Sequence, residues 1–285
     1  MATLAVISDL HGNIPALEAV LADLEQVRPD QVVIAGDFVN RGPQSRAVLE
    51  RIVPLGFPAI SGNHDTWLAA LARGRNRPDG WDTSQWTPVR LAAEELSTEW
   101  ATWLEELPRT LRIEMPGAAP VRVVHGSPRY QREGLGRLCS DEQAREALEG
   151  VSEPLVIGAH IHYPYERFVG GQHIVVTGAV GCPFNGDENA QYGLFTWDGA
   201  RWHFTHRSVP YDHEPLYAAW RESGYLDDGS ISSELMLMEH QTARSHYAPF
   251  MLWCNERGIE MNWQHYAVFA AERAPFMPPP VRAAS

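Results

Sequence analysis

Residues that can bind metal ions follow the apolar runs of this sequence at intervals along the chain. The first run, Leu4–Ile7, is followed by Asp9 and His11, and Gly12 then lets the chain turn away. Because residues i and i+2 of a strand point to the same side, this carboxylate and imidazole are predicted to present ligand atoms to one point. An Asp-x-His pair also occurs by chance, so a metal site needs ligands from elsewhere.

Later apolar runs end in residues of the same kinds. Ligands of open α/β sheets gather at the carboxyl ends of the strands, so these side chains are predicted to meet at one rim. A mixture of carboxylate, amide and imidazole suits Mn, Fe, Zn or Ni better than calcium or a thiolate site. A single histidine could be structural, but the repeated order favours a metal site. The candidates are Asp37, then Asn63, His64 and Asp65, then His125, then His160 and His162.

The spacing of apolar residues predicts strands and helices in alternation, which indicates a layered α/β core. One helix is predicted over 14–27, capped by Asn13, and a second has Val48, Leu49 and Ile52 on its inner face. The predicted strands are 4–7, 31–38, 57–60, 121–126, 154–162 and 173–181, followed by a hairpin over 191–206 with a two-residue Asp-Gly turn at 198–199.

Two further segments are predicted to be mainly helical. Residues 66–109 form a helical insertion that directly follows "GNHD", so it is expected to stand near the metal ligands. The whole chain is predicted to divide into a domain over 1–211, which includes this insertion, and a helical C-terminal extension over 212–285, whose Pro-rich end is predicted to be frayed. The extension is a candidate contact for a homo-oligomer.

Composition narrows the class of protein. The chain has 285 residues and a formal charge of −13, which argues against binding to polymeric nucleic acid through phosphates. Its 3 cysteines are far apart, which fits a reducing compartment rather than a disulfide framework. Neither a signal peptide nor an apolar run of membrane-spanning length is visible. The sequence therefore predicts a soluble, cytoplasmic protein without a membrane partner.

Five blocks of the sequence resemble the calcineurin-like metallophosphoesterase superfamily. They are "DLHGN", "GDFVNRGP", "GNHD", "VVHGSP" and "GAHIH", and with a later glycine-rich loop and hairpin the resemblance covers roughly residues 3–206. It implies a four-layer α/β/β/α sandwich around a dinuclear metal site. By the same resemblance, Asp9, His11 and His162 hold one ion, Asn63, His125 and His160 hold the other, and Asp37 bridges the two.

The resemblance also implies a reaction. Two divalent transition-metal ions, Mn²⁺ as first choice with Fe, Zn, Ni or Co as alternatives, would bind the phosphoryl group. A hydroxide that bridges them would attack phosphorus in line. His64 is outside the ligand pattern and is expected to protonate the leaving oxygen or to stabilise the transition state. Arg41 is expected to bind phosphate oxygens through its planar guanidinium group, with a surface ion pair as the alternative.

One position departs from the protein-phosphatase pattern of the superfamily. Asn40 stands where those members have an aspartate that pairs with the histidine, so it can orient His64 but cannot stabilise its charged form. Asp65 is a candidate to take over that role. The sequence resembles more closely the small bacterial phosphodiesterase and phosphatase branch.

The predicted substrate is a small-molecule or nucleotide phosphodiester. A phosphomonoesterase, a protein phosphatase and a nucleoside polyphosphate hydrolase remain alternatives. A metal-bound scaffold without catalysis and a nuclease are the alternatives of a different class.

Overall fold

The computed structural model describes residues 2–273, which begin with alternating strands and helices and continue with runs of each kind. The strands, in chain order, are β1 (Thr3–Ile7), β2 (Gln31–Ile34), β3 (Thr110–Ile113), β4 (Val121–Val124), β5 (Leu155–Gly158), β6 (Tyr165–Val169), β7 (Gln172–Val176), β8 (Ala190–Trp197) and β9 (Trp202–Val209). The helices are α1 (Ile14–Val27), α2 (Ser45–Ile52), α3 (Asn63–Ala72), α4 (Thr87–Glu94), α5 (Thr98–Glu106), α6 (Asp141–Ala147), α7 (Glu214–Glu222), α8 (Ile231–Thr242), α9 (Tyr247–Arg257) and α10 (Trp263–Arg273).

The strands form two mixed sheets. The first has the order β2-β1-β8-β9, with β1 parallel to β2 and antiparallel to β8. The second has the order β3-β4-β5-β7-β6, in which β4, β5 and β7 are parallel and the two edge strands are antiparallel to their neighbours. In each sheet the parallel strands bring their carboxyl ends to one edge, and the loops with the candidate ligands leave from these ends.

The two sheets pack against each other and helices cover their outer faces. Along β1, Leu4 and Val6 lie between the sheets, whereas Ala5 and Ile7 contact the helical layer that contains α1. The opposite sheet buries β4, β5 and β7 residues against α6. This alternation follows from the two-residue period of a strand whose two faces are both covered. The predicted α/β/β/α sandwich is confirmed.

Several predicted elements differ in detail. The expected strand at 57–60 is reduced to one bridge between Ala59 and Ile34, because the chain turns into α3 within three residues. Strands β3 and β6 and helix α6 were not predicted. Strand β6 lies at an edge and reads "YERFV", with alternate residues exposed, and α6 is a short polar helix with a capping box at Ser140. Such short elements have too few apolar residues to show a period.

The predicted hairpin is present, but its turn is displaced along the chain. Trp197 pairs with Trp202, and the Asp198 N–H donates to the Arg201 carbonyl oxygen, so Gly199 and Ala200 form the tip. The Asp198 carboxylate accepts hydrogen bonds from the backbone N–H groups of Ala200 and Arg201. This local capping lets Asp198 begin the turn instead of occupying its centre.

Helices α7 to α10 follow the last strand, in agreement with the predicted helical character of this region. Trp220, Leu235 and Phe250 of these helices are buried in the same cluster as Leu17 of α1 and Val89 of α4. The tail over 274–285 lies outside the described residues. Within the described range, no helix has the length and apolarity needed to cross a bilayer. The boundary at 211/212 and the oligomer contact stay predictions.

Candidate metal centre

The candidate ligands leave the strand ends on backbone of unusual geometry. Asp9, His11, Asp37, His160 and His162 all have positive φ angles, of 53°, 45°, 56°, 70° and 54°. For residues with a Cβ this left-handed region is unfavourable and is retained where surrounding structure enforces it. Asp9 and His11 therefore converge because of tight loop turns beyond β1. The predicted strand alternation at these two residues is wrong.

The structure brings the predicted ligands into two adjoining groups. Asp9, His11, Asp37 and His162 each offer an atom within 4.8 Å of the others, and Asp37, His125 and His160 do the same. Asp37 belongs to both groups. The Asn63 side chain joins the second group, since its Oδ1 lies 3.2 Å from His125 Nε2.

Two buried carboxylate oxygens in this cluster form no regular hydrogen bond within residues 2–273 and face imidazole nitrogens instead. Asp9 Oδ1 and Asp37 Oδ2 are both in this condition, and both side chains are fully buried. Asp9 Oδ1 lies 3.3 Å from His162 Nε2, and Asp37 Oδ2 lies 3.2 Å from His125 Nε2. Unsatisfied buried charge is costly, and bound cations would compensate for it.

Hydrogen bonds at Nδ1 of His11 and His162 direct the Nε2 atoms of both rings toward the same space. Nδ1 of His11 lies 3.1 Å from the Val39 carbonyl oxygen, and Nδ1 of His162 contacts the Cys182 carbonyl oxygen. A carbonyl only accepts, so Nδ1 carries the proton in both rings and Nε2 presents a lone pair. The two Nε2 atoms are 3.1 Å apart. Lone pairs at this distance repel each other unless a proton or a metal cation lies between them, and two converging neutral imidazoles are a donor set that fits a metal.

The pKa values of the ligand side chains in the metal-free protein show that the site also favours positive charge. Burial would lower the pKa of His125, but the Asp37 carboxylate beside it raises that pKa to about 10. Burial would raise the pKa of Asp37, yet His125 and its neighbours hold that pKa well below its usual value. Burial lowers the pKa of His160 to about 4 and that of His11 well below its usual value. Metal binding and protonation therefore compete for these ligands.

His64 lies beside the ligand groups and is oriented by Asn40. The Asn40 Oδ1 accepts a hydrogen bond from the Arg41 N–H at 2.8 Å, which turns the amide nitrogen toward His64 Nδ1, 2.9 Å away. Nδ1 of neutral His64 thus accepts, and the proton resides on Nε2. Burial lowers the pKa of His64 to about 3 despite the opposing effect of Asp37. His64 is therefore neutral near pH 7.

Asp65 shapes the loop that carries Asp37. Its two oxygens accept hydrogen bonds, each of 2.8 Å, from the N–H groups of Gly62, Asp37 and Phe38. These contacts give Asp65 backbone partners in place of the His64 partnership expected from the sequence. Gly62 is required here, because a Cβ on it would lie 2.0 Å from Asp37 Oδ1. Asn63 to Asp65 form the first turn of α3 and do not follow a strand.

Arg41 is held between two side chains that the sequence did not associate with it. Its Nη1 donates to the fully buried carboxylate of Glu239 in α8, and its guanidinium carbon lies 5.3 Å from the centroid of the Phe184 ring. Phe184 in turn stacks on His162, with ring centroids 4.4 Å apart. Arg41 is 8% exposed, so its alternative as a surface ion pair does not hold.

Glu239 is the partner that sequence reasoning missed. Its Oε1 accepts hydrogen bonds from the N–H groups of His246 and Tyr247, at 2.8 and 2.9 Å. The adjacent His240 places Nε2 3.3 Å from the Arg41 carbonyl oxygen. The available signal was an acidic residue among the apolar residues of "ELMLMEH", but nothing in that segment indicates its partner 198 positions away.

Curated proteins similar to this chain are nucleotide hydrolases by name. The symmetrical bis(5'-nucleosyl)-tetraphosphatase of Acidovorax ebreus is 36% identical over 122 residues, which is 42% of each chain. That of Thioalkalivibrio sulfidiphilus is 32% identical over 157 residues, or 53% of this chain and 54% of the relative. The chain thus spans only about two fifths to a half of the length of these relatives.

Solved structures and a family model cover more of the chain. A metallophosphoesterase from Sphaerobacter thermophilus is 28% identical, with a TM-score of 0.65 over 85% of this chain and 99% of that chain. A hypothetical protein from Pyrococcus horikoshii has a TM-score of 0.68 over 80% of this chain and 96% of that chain, at 21% identity, which shows the fold alone. The family model described as calcineurin-like phosphoesterase matches residues 2–164, and the chain belongs to that family, as its sequence blocks predicted.

Proposed function

We propose that the chain hydrolyses phosphate esters with two divalent transition-metal ions, and that its substrate is a small-molecule or nucleotide phosphodiester. The observation that carries the proposal is the buried Asp37 carboxylate, which belongs to both ligand groups and has an oxygen without a donor. A shared carboxylate suits two cations about 3.5–4 Å apart.

Each ion has its own set of ligands in this proposal. Mn²⁺ is the first choice, and Fe, Zn, Ni or Co would suit the same oxygen and imidazole donors. When bound, the two ions supply positive charge for phosphoryl oxygens and lower the pKa of water so that hydroxide is available near neutral pH. Asp9, His11 and His162 would hold the first ion, Asn63, His125 and His160 would hold the second, and Asp37 would be common to both.

Two other side chains would act on the ester. Neutral His64 carries a proton on Nε2, since Asn40 donates to its Nδ1, and would direct that proton to the leaving oxygen. Arg41 donates Nη1 to Glu239. Nη2 would bind a phosphoryl oxygen. Asp65 would act indirectly, by holding the backbone of Asp37.

A nucleoside polyphosphate hydrolase is the second candidate. The curated relatives carry the name of a dinucleoside tetraphosphatase, and they match 42% to 53% of this chain. A polyphosphate anhydride presents the same reacting group to the two ions as a diester does. The two candidates differ in what lies beyond the reacting phosphate.

Metal content tests the dinuclear site apart from the substrate. We expect two ions per chain after reconstitution with Mn²⁺, and one ion or none would overturn the proposal. Asp37→Asn should lose both ions, because it removes the shared charge, whereas Asp9→Asn should mainly lose one. Equal losses in the two variants would contradict the shared position of Asp37.

The reaction is tested on a panel of substrates. Cyclic nucleotides, a dinucleoside tetraphosphate, an aryl phosphodiester and a phosphopeptide, each with several metals, would distinguish diester, polyphosphate and phosphoprotein hydrolysis. Turnover of none of them by protein with both ions bound would favour the scaffold alternative.

A further inference from the structure

An open cavity of about 300 Å³ adjoins the candidate metal centre. One wall is α3 as far as Ala70, including the candidate ligand Asn63 and the indole of Trp67. The other wall is the loop after β4, which contributes Tyr130, Gln131 and Arg132. The volume is at the lower end of the range for small-molecule sites. A group that leaves the metal centre past Asn63 enters this cavity.

Both aromatic rings of the cavity are placed to receive a flat ligand. Trp67 lies one helical turn after His64, and the two ring centroids are 6.3 Å apart. Tyr130 is 57% exposed, and its hydroxyl forms no hydrogen bond with the described residues. An exposed aromatic residue in contact with an active-site cavity offers a surface on which a ring can stack.

The loop that carries Tyr130 is held firmly in place. Ser127 donates its N–H to the Tyr130 carbonyl oxygen at 3.0 Å, and its Oγ accepts from the Tyr130 N–H at 3.1 Å. Gln131 Nε2 donates to the Ser61 carbonyl oxygen at 2.6 Å. Gly126 allows this approach, since a Cβ there would lie 2.4 Å from the Gln131 carbonyl oxygen. The cavity wall is therefore preorganised for binding.

Arg132 gives the cavity a positive charge that no described residue neutralises. It is exposed and forms no ion pair or hydrogen bond within residues 2–273, although the chain carries a formal charge of −13. The nearby Arg129 differs, because both its Nε and Nη2 donate to Glu133. An unpaired guanidinium beside a cavity of this kind complements phosphate oxygens.

We propose that this cavity binds the nucleoside part of a nucleotide substrate, with the base against Tyr130 and Trp67 and a non-reacting phosphate near Arg132. The inference rests on the proposed phosphoesterase function and specifies its substrate class. The combination of aromatic rings and an unpaired cation favours a nucleotide over a phosphopeptide or an aliphatic phosphate ester. Stacking of one base on an aromatic side chain increases affinity by roughly 5- to 150-fold.

Calorimetric measurement of ADP and inorganic pyrophosphate binding to Mn²⁺-loaded protein tests the base contact of Tyr130 and the phosphate contact of Arg132 separately. Tyr130→Ala should weaken ADP binding by about tenfold and leave pyrophosphate binding within about twofold, because only ADP has a base. Arg132→Gln should weaken both ligands by similar factors. For the dinucleoside tetraphosphate, Tyr130→Ala should raise KM by the same factor without changing kcat.

Two control variants match these changes in residue type away from the cavity. Phe168→Ala removes an aromatic ring that is 70% exposed on β6, and Arg145→Gln removes an exposed charge on α6. Neither should alter ADP binding. Unchanged ADP affinity in Tyr130→Ala, or an equal loss for pyrophosphate, would overturn the inference. Hydrolysis of the aryl phosphodiester by the wild type reports the proposed function independently, so either conclusion can fail while the other stands.

Discussion

Replacing Glu239 by Gln should destabilise the protein strongly, because this change removes the charge that faces buried Arg41. Glu239 is fully buried, and its carboxylate receives Arg41 Nη1 as well as the N–H groups of His246 and Tyr247. An amide in its place has one acceptor oxygen, which cannot serve both Arg41 and the start of α9. The Arg41 charge then remains buried without its ion-pair partner.

The expected loss can be derived from these contacts. Removing one partner of a buried ion pair costs about 3–5 kcal/mol, mainly because the other charge stays uncompensated. For Glu239→Gln we expect about 3 kcal/mol, since the amide keeps some hydrogen bonds, which is roughly 6–12 °C in Tm. Arg41→Met should cost less, because Glu239 would still accept two backbone hydrogen bonds at the N-terminus of α9.

Urea unfolding of the metal-free protein measures these losses, with a double-mutant cycle for the coupling between the two residues. Glu234→Gln is the matched control, since it makes the same charge change in α8 at a residue that is not fully buried. The control should lose no more than about 1 kcal/mol, its interaction with the helix dipole. A loss below about 0.5 kcal/mol in Glu239→Gln, or one equal to the control, would refute the assignment of a stabilising buried pair.

Three further outcomes are expected. His64→Ala should retain its metal ions but lose about 10²–10⁴-fold in turnover of esters with poorly acidic alcohols, and much less with an activated aryl ester; equal losses on both would show that His64 stabilises phosphoryl charge. Chelation should lower Tm, and excess Mn²⁺ should restore it in the wild type, with a gain in the free energy of unfolding of about 2.7 kcal/mol per ion at a hundred times Kd, but hardly in Asp37→Asn; equal restoration would contradict the role of Asp37. Burial lowers the pKa of His240, which also faces Glu239 and Arg41, to about 4; since the unfolded chain binds this proton near pH 6.5, stability should fall as pH drops from 6.5 to 4, by up to about 1.4 kcal/mol per unit, and less in His240→Gln. An identical slope in that variant would assign the acid sensitivity to other groups.

Much of the candidate site could be predicted from the sequence because its ligands lie at the ends of apolar runs. The order of Asp9, Asp37, His125 and His160 along the chain matches the order of the strands that carry them. The cap of α1 is local as well, and Asn13 Oδ1 indeed accepts from the Ala16 N–H. Residue type and short-range spacing are sufficient for such features, since their physical causes act within a few residues.

The tertiary structure decided the features that depend on long-range contacts or on backbone angles. Positive φ angles at Asp9 and His11 come from loops held by the neighbouring segment, as in the Asp9 N–H bond to the Gly36 carbonyl oxygen. Edge strand β6 is defined by pairing with β7 rather than by its own pattern.

The burial of Arg41 follows the same rule. It requires Glu239 of α8, which lies 198 positions away in the sequence and contacts Arg41 only through the packing of that helix. A charged side chain has the same sequence signature whether it is solvated or paired in the interior. Its environment, and therefore its pKa, energetic contribution and chemistry, is a property of the folded chain.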